Sequence, residues 1–312
     1  MEKKISVIIP VYNLESCLDN TVKSVIRQSY RNIEILLIDD GSTDNTLEVC
    51  KKWENNDKRI KVFHQKNLGV SAARNKGLLE SSGELLCFID GDDLVDENLL
   101  KKLYQVIEDA DLAICGLRYL DDCKIAKSVG TVSYSIEDAI IELCENDFIS
   151  YSACAKLYKS DIAKTISFDN NTGILEDYLF VCSYLCKCKK VNVITEYLYY
   201  YVRRENSALG RSYSHKRLDL IYSYCKSIQL LKDFYPKVVP YIYCCYMYEL
   251  MELFSRIPDD NEYENDRKKI SDEIYRIKRE RIKGNYRRIV KIRLFQLSPQ
   301  FYKVIMKIYR NR

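Results

Sequence analysis

Leu85-Leu86-Cys87-Phe88-Ile89-Asp90-Gly91-Asp92-Asp93 sets a continuous apolar run directly before a turn carrying three carboxylates. The run reads as a buried strand, and the turn as the point where that strand leaves the core. Carboxylates crowded on one turn repel each other unless a cation sits among them. Hard divalent cations such as Mg²⁺ or Mn²⁺ take oxygen ligands and often hold substrate phosphates at the same time. The turn therefore points to a metal–diphosphate site. The plainer alternative is a solvated acidic turn, because Asp and Gly are ordinary turn residues.

Upstream of this stretch, strand and helix patterns alternate. Ile5–Ile9 is a short β-branched run stopped by Pro10, and Leu14–Ser29 has helical spacing through Leu18, Val22, Val25 and Ile26. Ile33–Ile38 is a second buried strand, followed by the turn Asp39–Asp44, where Ser42 or Thr43 is expected to cap the next helix. Ile60–His64 is a third strand, and Gly69–Ser82 a helix ended by Gly83. Downstream, Asp96–Glu108 reads as a helix and Leu112–Cys115 as a fifth strand. This alternation indicates an α/β fold with a mostly parallel, Rossmann-like sheet flanked by helices on both faces. Ligands of such sheets bind beyond the carboxyl ends of the strands, at a topological switch point. The polar clusters after strands one, two and four all fall on that edge, which favours a site over a solvated turn.

The 312 residues, 47% apolar and 30% charged, suit a globular protein of one large or two ordinary domains. No apolar run reaches the roughly 18 residues of a membrane span. Met1-Glu2-Lys3-Lys4 leads into a short strand and does not resemble a signal peptide. The 13 cysteines are odd in number and lack zinc-like spacing, so they read as reduced small hydrophobes in a cytoplasmic protein. Residues 267–312 hold 16 Lys/Arg and three acids, a net of +13, which leaves −9 for the rest of a chain whose total is +4. Phe301, Val304, Ile305 and Ile308 line one helical face in this tail, among Lys303, Lys307, Arg310 and Arg312. Such a basic amphipathic helix suits an anionic membrane surface, or packs on the first domain with its charges solvated. No nucleic-acid module accompanies the charge.

The middle section is less regular. Ile136–Glu145 looks helical, Leu175–Phe180 starts a helix with acids in its first turn, and Val191–Tyr201 looks like a strand. From about Ser212 the pattern is helical and rich in tyrosine. The expected division is residues 1–210, with halves meeting near 115/116, and a basic helical region at 211–312.

Five motifs occur in order: Ser6-Val7-Ile8-Ile9-Pro10-Val11-Tyr12-Asn13, Ile38–Asp44, Gly69–Gly77, Asp90–Asp93 and Glu176-Asp177. Together they resemble the family 2 glycosyltransferases and their GT-A fold, most closely over residues 5–110. The resemblance implies a nucleotide-binding half to about 115 and an acceptor half to about 210. It implies that Pro10 and Val11, with Tyr12, border the nucleobase and that Asp40, beside Asp39, accepts from a uracil NH, which favours UDP. It places Arg74 near the diphosphate. Asp90-Gly91-Asp92 matches the family's DxD, with Asp92 as the direct ligand of Mn²⁺ or Mg²⁺ and Asp90 near ribose and metal. Asp93 would support this turn, and Asp177 aligns with the general base. Arg203 and Arg204 sit where related bacterial enzymes carry a basic loop over the diphosphate. Lys156-Leu157-Tyr158-Lys159 also matches, but the usual preceding Asn is Ala155. His64 and His215 receive no role.

The implied activity is a metal-dependent, inverting transfer of sugar from a nucleotide-sugar, in bacterial surface polysaccharide or glycolipid assembly. A glycan or lipid-linked acceptor would place the chain on the cytoplasmic face of the membrane. One competing reading is a sugar-phosphate nucleotidyltransferase, which would want a Gly-rich basic loop where Val11-Tyr12-Asn13-Leu14-Glu15 stands. Another is a non-catalytic membrane partner with a vestigial nucleotide pocket.

Overall fold

The computed structural model describes residues 2–123, 130–145, 148–203, 213–299, 302 and 306. The elements run β1 (Ile5–Val11), α1 (Leu18–Ile26), β2 (Ile33–Asp39), α2 (Thr46–Asn56), β3 (Ile60–His64), α3 (Val70–Glu80), β4 (Leu85–Phe88), β5 (Leu94–Val95) and α4 (Leu99–Ile107). There follow β6 (Leu112–Tyr119), β7 (Thr131–Tyr134), α5 (Ile136–Glu145), β8 (Lys156–Lys159), α6 (Ser160–Ala163), α7 (Glu176–Leu185) and β9 (Val191–Tyr201). Among the described residues there follow α8 (Asp219–Phe234), α9 (Val239–Arg256), α10 (Glu264–Ile277) and α11 (Tyr286–Leu297).

β1 and β2 are buried at every position, which is why their sequences show no alternation. Among the described residues the strands form one sheet in the order β3-β2-β1-β4-β8-β6-β9-β5, with β7 paired to β9. The first four are parallel as expected. The chain steps from β1 outward to β2 and β3, then returns to β4 on the other side of β1. The switch point lies between β1 and β4, so the place where ligands of such sheets are expected falls beside Val11 and the Asp90–Asp93 turn. Gly77 lets α3 lie on β1: an added Cβ would stand 2.3 Å from Ile8 Cγ2.

Past β4 the sheet becomes mixed. β8 runs antiparallel to both β4 and β6, while β6 and β9 are parallel. The expected fifth strand is present but reaches Tyr119, and β8 separates it from β4. The expected cap at Ser42 or Thr43 is not used. α2 begins at Thr46, whose backbone N–H donates to Asp44 Oδ1 at 3.0 Å, while Ser42 and Thr43 bond to Asn13 instead. α1 is shorter than the Leu14–Ser29 pattern because Leu14 N donates to Thr46 Oγ1 at 2.7 Å, tying Leu14 to the loop.

Much of the tyrosine content is core. Tyr178 packs 5.2 Å from Tyr224, which stacks 4.7 Å from Tyr246, joining α7, α8 and α9. None of the described cysteines is joined in a disulfide. Of the expected tail helix, Phe301, Lys303, Val304, Ile305, Lys307, Ile308, Arg310 and Arg312 lie outside the described residues. Tyr302 and Met306 are described and buried, and the Tyr302 hydroxyl donates to Glu252 Oε1 at 2.8 Å. No described helix is long and apolar enough to cross a membrane.

Candidate active site

Register brings the ends of the first two strands level, with Pro10 opposite Ile38 and Val11 opposite Asp39. Asp40 N then donates to Val11 O at 2.9 Å. Asn13 takes a left-handed conformation (φ 53°), which Asn tolerates better than most residues. In that pose its Oδ1 accepts from Thr43 N at 2.8 Å, and its N–H donates to Ser42 Oγ at 3.0 Å. The two loops are thus stitched together, and Tyr12 stands 44% exposed beside them.

Asp39 is fully buried. Its Oδ2 lies 2.6 Å from His64 Nδ1, and its Oδ1 has no hydrogen-bond partner among the described residues. The carboxylate of Asp40 holds the loop before α3. Oδ1 accepts from Gln65 Nε2 at 2.8 Å and Leu68 N at 3.0 Å, and Oδ2 accepts from Gly69 N at 2.8 Å. A carboxylate offers about four acceptor positions, so one remains for a ligand donor.

Gly91 lets the acidic turn lie against the end of β1. A Cβ there would approach Leu14 Cδ1 to 2.7 Å and Pro10 O to 2.9 Å. Asp90 N donates to the Tyr199 hydroxyl at 3.0 Å, and that hydroxyl donates to Asp93 Oδ2 at 2.8 Å. Val202 N donates to Asp93 Oδ1 at 2.9 Å. Asp93 therefore ties the turn to the end of β9, the supporting part expected of it. Burial, then the charges of Asp90 and Asp92, push its carboxyl up to about 8. Arg203, two residues past β9, stacks over Tyr119 (4.2 Å to the ring centre) and pairs with Asp121 at 3.5 Å. Among the described residues these are its partners, and the acidic turn is not one of them. Arg204 lies outside the described residues.

The node of the site is Arg74, on α3 and only 3% exposed. Its Nη2 donates to Asp90 Oδ1 at 2.9 Å, and its Nη1 to Asp177 Oδ1 at 2.5 Å and Glu176 Oε1 at 3.2 Å. The guanidinium lies 5.3 Å from the centre of the Phe168 ring. Burial disfavours its charge, but Asp177, Asp90 and Glu176 outweigh burial and hold it protonated. Asp177 stands in the first turn of α7, where the chain enters through Leu175 in a left-handed conformation (φ 63°). Its Oδ2 accepts from Ala153 N at 3.0 Å and Ser152 Oγ at 3.2 Å. Burial, and then Asp177, raise the carboxyl of Glu176 above its ordinary range.

The structure thus brings Asp90, Arg74 and Asp177 together with Glu176 of the same motif, and adds Tyr199 and Ser152, which the sequence did not single out. Nothing local marks those two, since their roles come from distant partners. Three carboxylates share one guanidinium, and Asp92 adds a fourth on the same turn. Among the described residues no three His, Cys, Asp or Glu form a complete cage for an ion. A Mg²⁺-like cation is commonly held by one or two carboxylates plus substrate phosphates, and the Asp90–Asp92 turn fits that arrangement. A separate groove of about 760 Å³ is lined by Asn75, Phe168, Asn170 and Lys226.

Residues 6–166 match the family model described as glycosyl transferase family 2. The chain belongs to that family. Its members are inverting glycosyltransferases. Glycosyltransferase GlyG of Streptococcus pneumoniae serotype 4 is 33% identical over 223 residues, covering 67% of this chain and 74% of GlyG. Glycosyltransferase GlyA of the same organism is 36% identical over 231 residues, covering 69% of this chain but 33% of GlyA. The minor teichoic acid biosynthesis protein GgaA of Bacillus subtilis is 29% identical over 260 residues, 78% of this chain and 58% of GgaA. The chain therefore spans well under two thirds of GlyA and GgaA.

Solved structures with this fold include S. aureus TarS 1–349 in complex with UDP-GlcNAc, at TM-score 0.63 and 19% identity, covering 99% of this chain and 92% of that one. The mannosyltransferase PcManGT from Pyrobaculum calidifontis, in complex with GDP-Man and Mn²⁺, aligns at TM-score 0.56 and 12% identity, covering 100% and 89%. The family 2 fold of this chain is an α/β sheet flanked by helices, as its motifs suggested.

Proposed function

We propose that this chain is a metal-assisted inverting transferase that moves a sugar from a UDP-sugar to a glycan or lipid-linked acceptor in bacterial surface polysaccharide synthesis. The observation that carries the reading is the meeting of Asp90, Arg74 and Asp177 at the switch point of the sheet. It sets a cation-binding turn, a phosphate-binding guanidinium and a proton acceptor within one side chain's reach. The teichoic acid context of GgaA and the UDP-GlcNAc bound by TarS support the substrate class.

In this reading Tyr12, with the backbone of Pro10 and Val11, borders the nucleobase, and the remaining acceptor position of Asp40 takes the uracil NH. Asp39 braces this edge through His64. Arg74 lies where charge builds on the leaving diphosphate, which preorganised donors stabilise best in a site screened from water. A Mg²⁺ or Mn²⁺ held by Asp92 and Asp90 would add positive charge at the same place. As the acceptor oxygen bonds to the anomeric carbon, the bond from that carbon to the diphosphate breaks. Asp177 takes the proton of the attacking hydroxyl. One displacement of this kind inverts the anomeric configuration.

The test is UDP release from a panel of UDP-, GDP- and dTDP-sugars with and without Mn²⁺. UDP-sugars should turn over, and faster with the ion. Absence of turnover and of nucleotide binding across the panel would reject the reading. Asp92→Ala is expected to weaken UDP binding in Mn²⁺ by about tenfold or more and to leave metal-free UDP binding unchanged, measured by titration calorimetry. Equal loss in both conditions would remove Asp92 from the metal.

A further inference from the structure

Lys156 is completely buried, and among the described residues no carboxylate pairs with it. Its ammonium donates to three backbone carbonyls: Ser150 O at 2.6 Å, Ser152 O at 2.6 Å and Cys154 O at 3.3 Å. An ammonium has three N–H donors, so this set satisfies it. A buried cation is nevertheless costly, and a well-packed apolar residue often stabilises a fold better. Desolvation indeed pulls the pKa of Lys156 down to about 8.

The consequence of this wrapping lies on the far side of the loop. A trans peptide unit is planar and points its C=O and N–H in opposite directions. The Ser152 carbonyl and the Ala153 N–H belong to one such unit. Drawing Ser152 O inward onto Lys156 turns Ala153 N–H outward, where it donates to Asp177 Oδ2 at 3.0 Å. The Ser152 hydroxyl reaches the same oxygen at 3.2 Å.

The rest of the loop is equally constrained. Tyr158 Oη donates to Ala153 O at 2.8 Å, Cys115 N donates to Ala155 O at 3.0 Å, and Cys154 N donates to Ser152 Oγ at 3.1 Å. Ala155 is held at φ 59°, a left-handed conformation that is strained for an L-residue and persists only where the surroundings impose it. The position before Lys156 thus demands a left-handed residue, whether or not its side chain meets a ligand.

The geometry points to Lys156 as a positioning residue for Asp177. The buried ammonium organises the 150–155 loop so that one peptide N–H and one hydroxyl fix the orientation of the catalytic carboxylate. Lys156 touches neither substrate nor nucleotide in this role. The inference rests on the reading of Asp177 as general base.

The test uses the full chain and the UDP-sugar that turns over in the donor panel. Lys156→Met keeps the side chain's length and removes the charge. Misplacing a reacting group by about 1 Å costs on the order of 10²-fold, so kcat for UDP release should fall about 30- to 100-fold. The donor KM and the Kd for UDP should change less than about threefold, which also shows that the variant is folded. In an Asp177→Asn background, Lys156→Met should cost less than about threefold more, because the group it positions is gone. Unchanged kcat in Lys156→Met, or the same fold loss in both backgrounds, overturns the inference. If Lys156→Met no longer binds UDP, Ser152→Ala decides. It should lower kcat about three- to tenfold at constant KM, and wild-type kcat overturns the inference. Wild-type turnover by Asp177→Asn refutes the base assignment itself and takes this inference with it.

Discussion

Asp177→Asn is expected to lower sugar transfer by about 10²- to 10⁴-fold, the range a positioned general base contributes, and to leave UDP affinity within about threefold of wild type. The two oxygens of Asp177 face different partners, Arg74 on one side and the 152–153 loop on the other. An amide keeps one acceptor. If that oxygen stays with Ala153 N–H, the new NH₂ group faces the Arg74 guanidinium, donor against donor. Arg74 still retains Asp90 and Glu176, so the node survives. UDP is expected to bind at the ends of β1, β2 and β4, which the substitution does not touch. Steady-state UDP release and calorimetric UDP titration measure the two halves separately. Near-normal transfer rejects Asp177 as base, and a parallel loss of UDP affinity makes it a binding residue instead.

Arg74→Ala should be harsher, because it strips the cation from three carboxylates at once. Removing one partner of a buried ion pair costs about 3–5 kcal/mol. The lower end applies here, because Asp90 keeps 29% of its side-chain surface in solvent and is partly screened. Turnover should fall at least about 10³-fold, since diphosphate stabilisation and the placement of Asp177 both fail. The pH dependence gives the mechanism away. Burial, then the charge of Asp177, already raise the carboxyl of Glu176, and losing Arg74, which lowers it, sets its folded-state pKa further above the unfolded value. A carboxyl raised in this way favours the folded state below its unfolded pKa of about 4 and loses that contribution as pH rises through the folded value. The mutant's deficit against wild type should therefore shrink between pH 7 and pH 5 in urea denaturation. A deficit independent of pH would mean that Arg74 stabilises by packing on Phe168 rather than by charge.

Only part of this arrangement was open to sequence reading. β1, β2 and β4 could be read because strands covered on both faces leave unbroken apolar runs. β8 escaped because it is four residues long with a lysine at each end. What makes it a strand is tertiary: loop carbonyls accept the hydrogen bonds of the Lys156 ammonium, and Lys159 pairs with Asp111 at 2.8 Å. The acidic turn, Arg74 and Asp177 were legible as separate motifs. Their meeting was not, because Arg74 lies 16 residues from Asp90 and 103 from Asp177. Arg74 was expected beside a diphosphate. In this structure it holds three carboxylates, a state in which substrate phosphate and a cation would compete for the same charges. Ser42 and Thr43 were read as caps from local chemistry alone, whereas Asn13, across the neighbouring loop, claims them. Tyr199 looked like one tyrosine among 26, and only the fold shows it bridging Asp90 and Asp93.

A crystal structure with UDP and Mn²⁺ bears most directly on the whole account. It should place the ion against an Asp92 oxygen and the diphosphate beside Arg74, with the uracil NH donating to Asp40. A diphosphate bound elsewhere, for example in the groove lined by Asn75 and Lys226, with the Asp90–Asp93 turn free of both ion and phosphate, would contradict it.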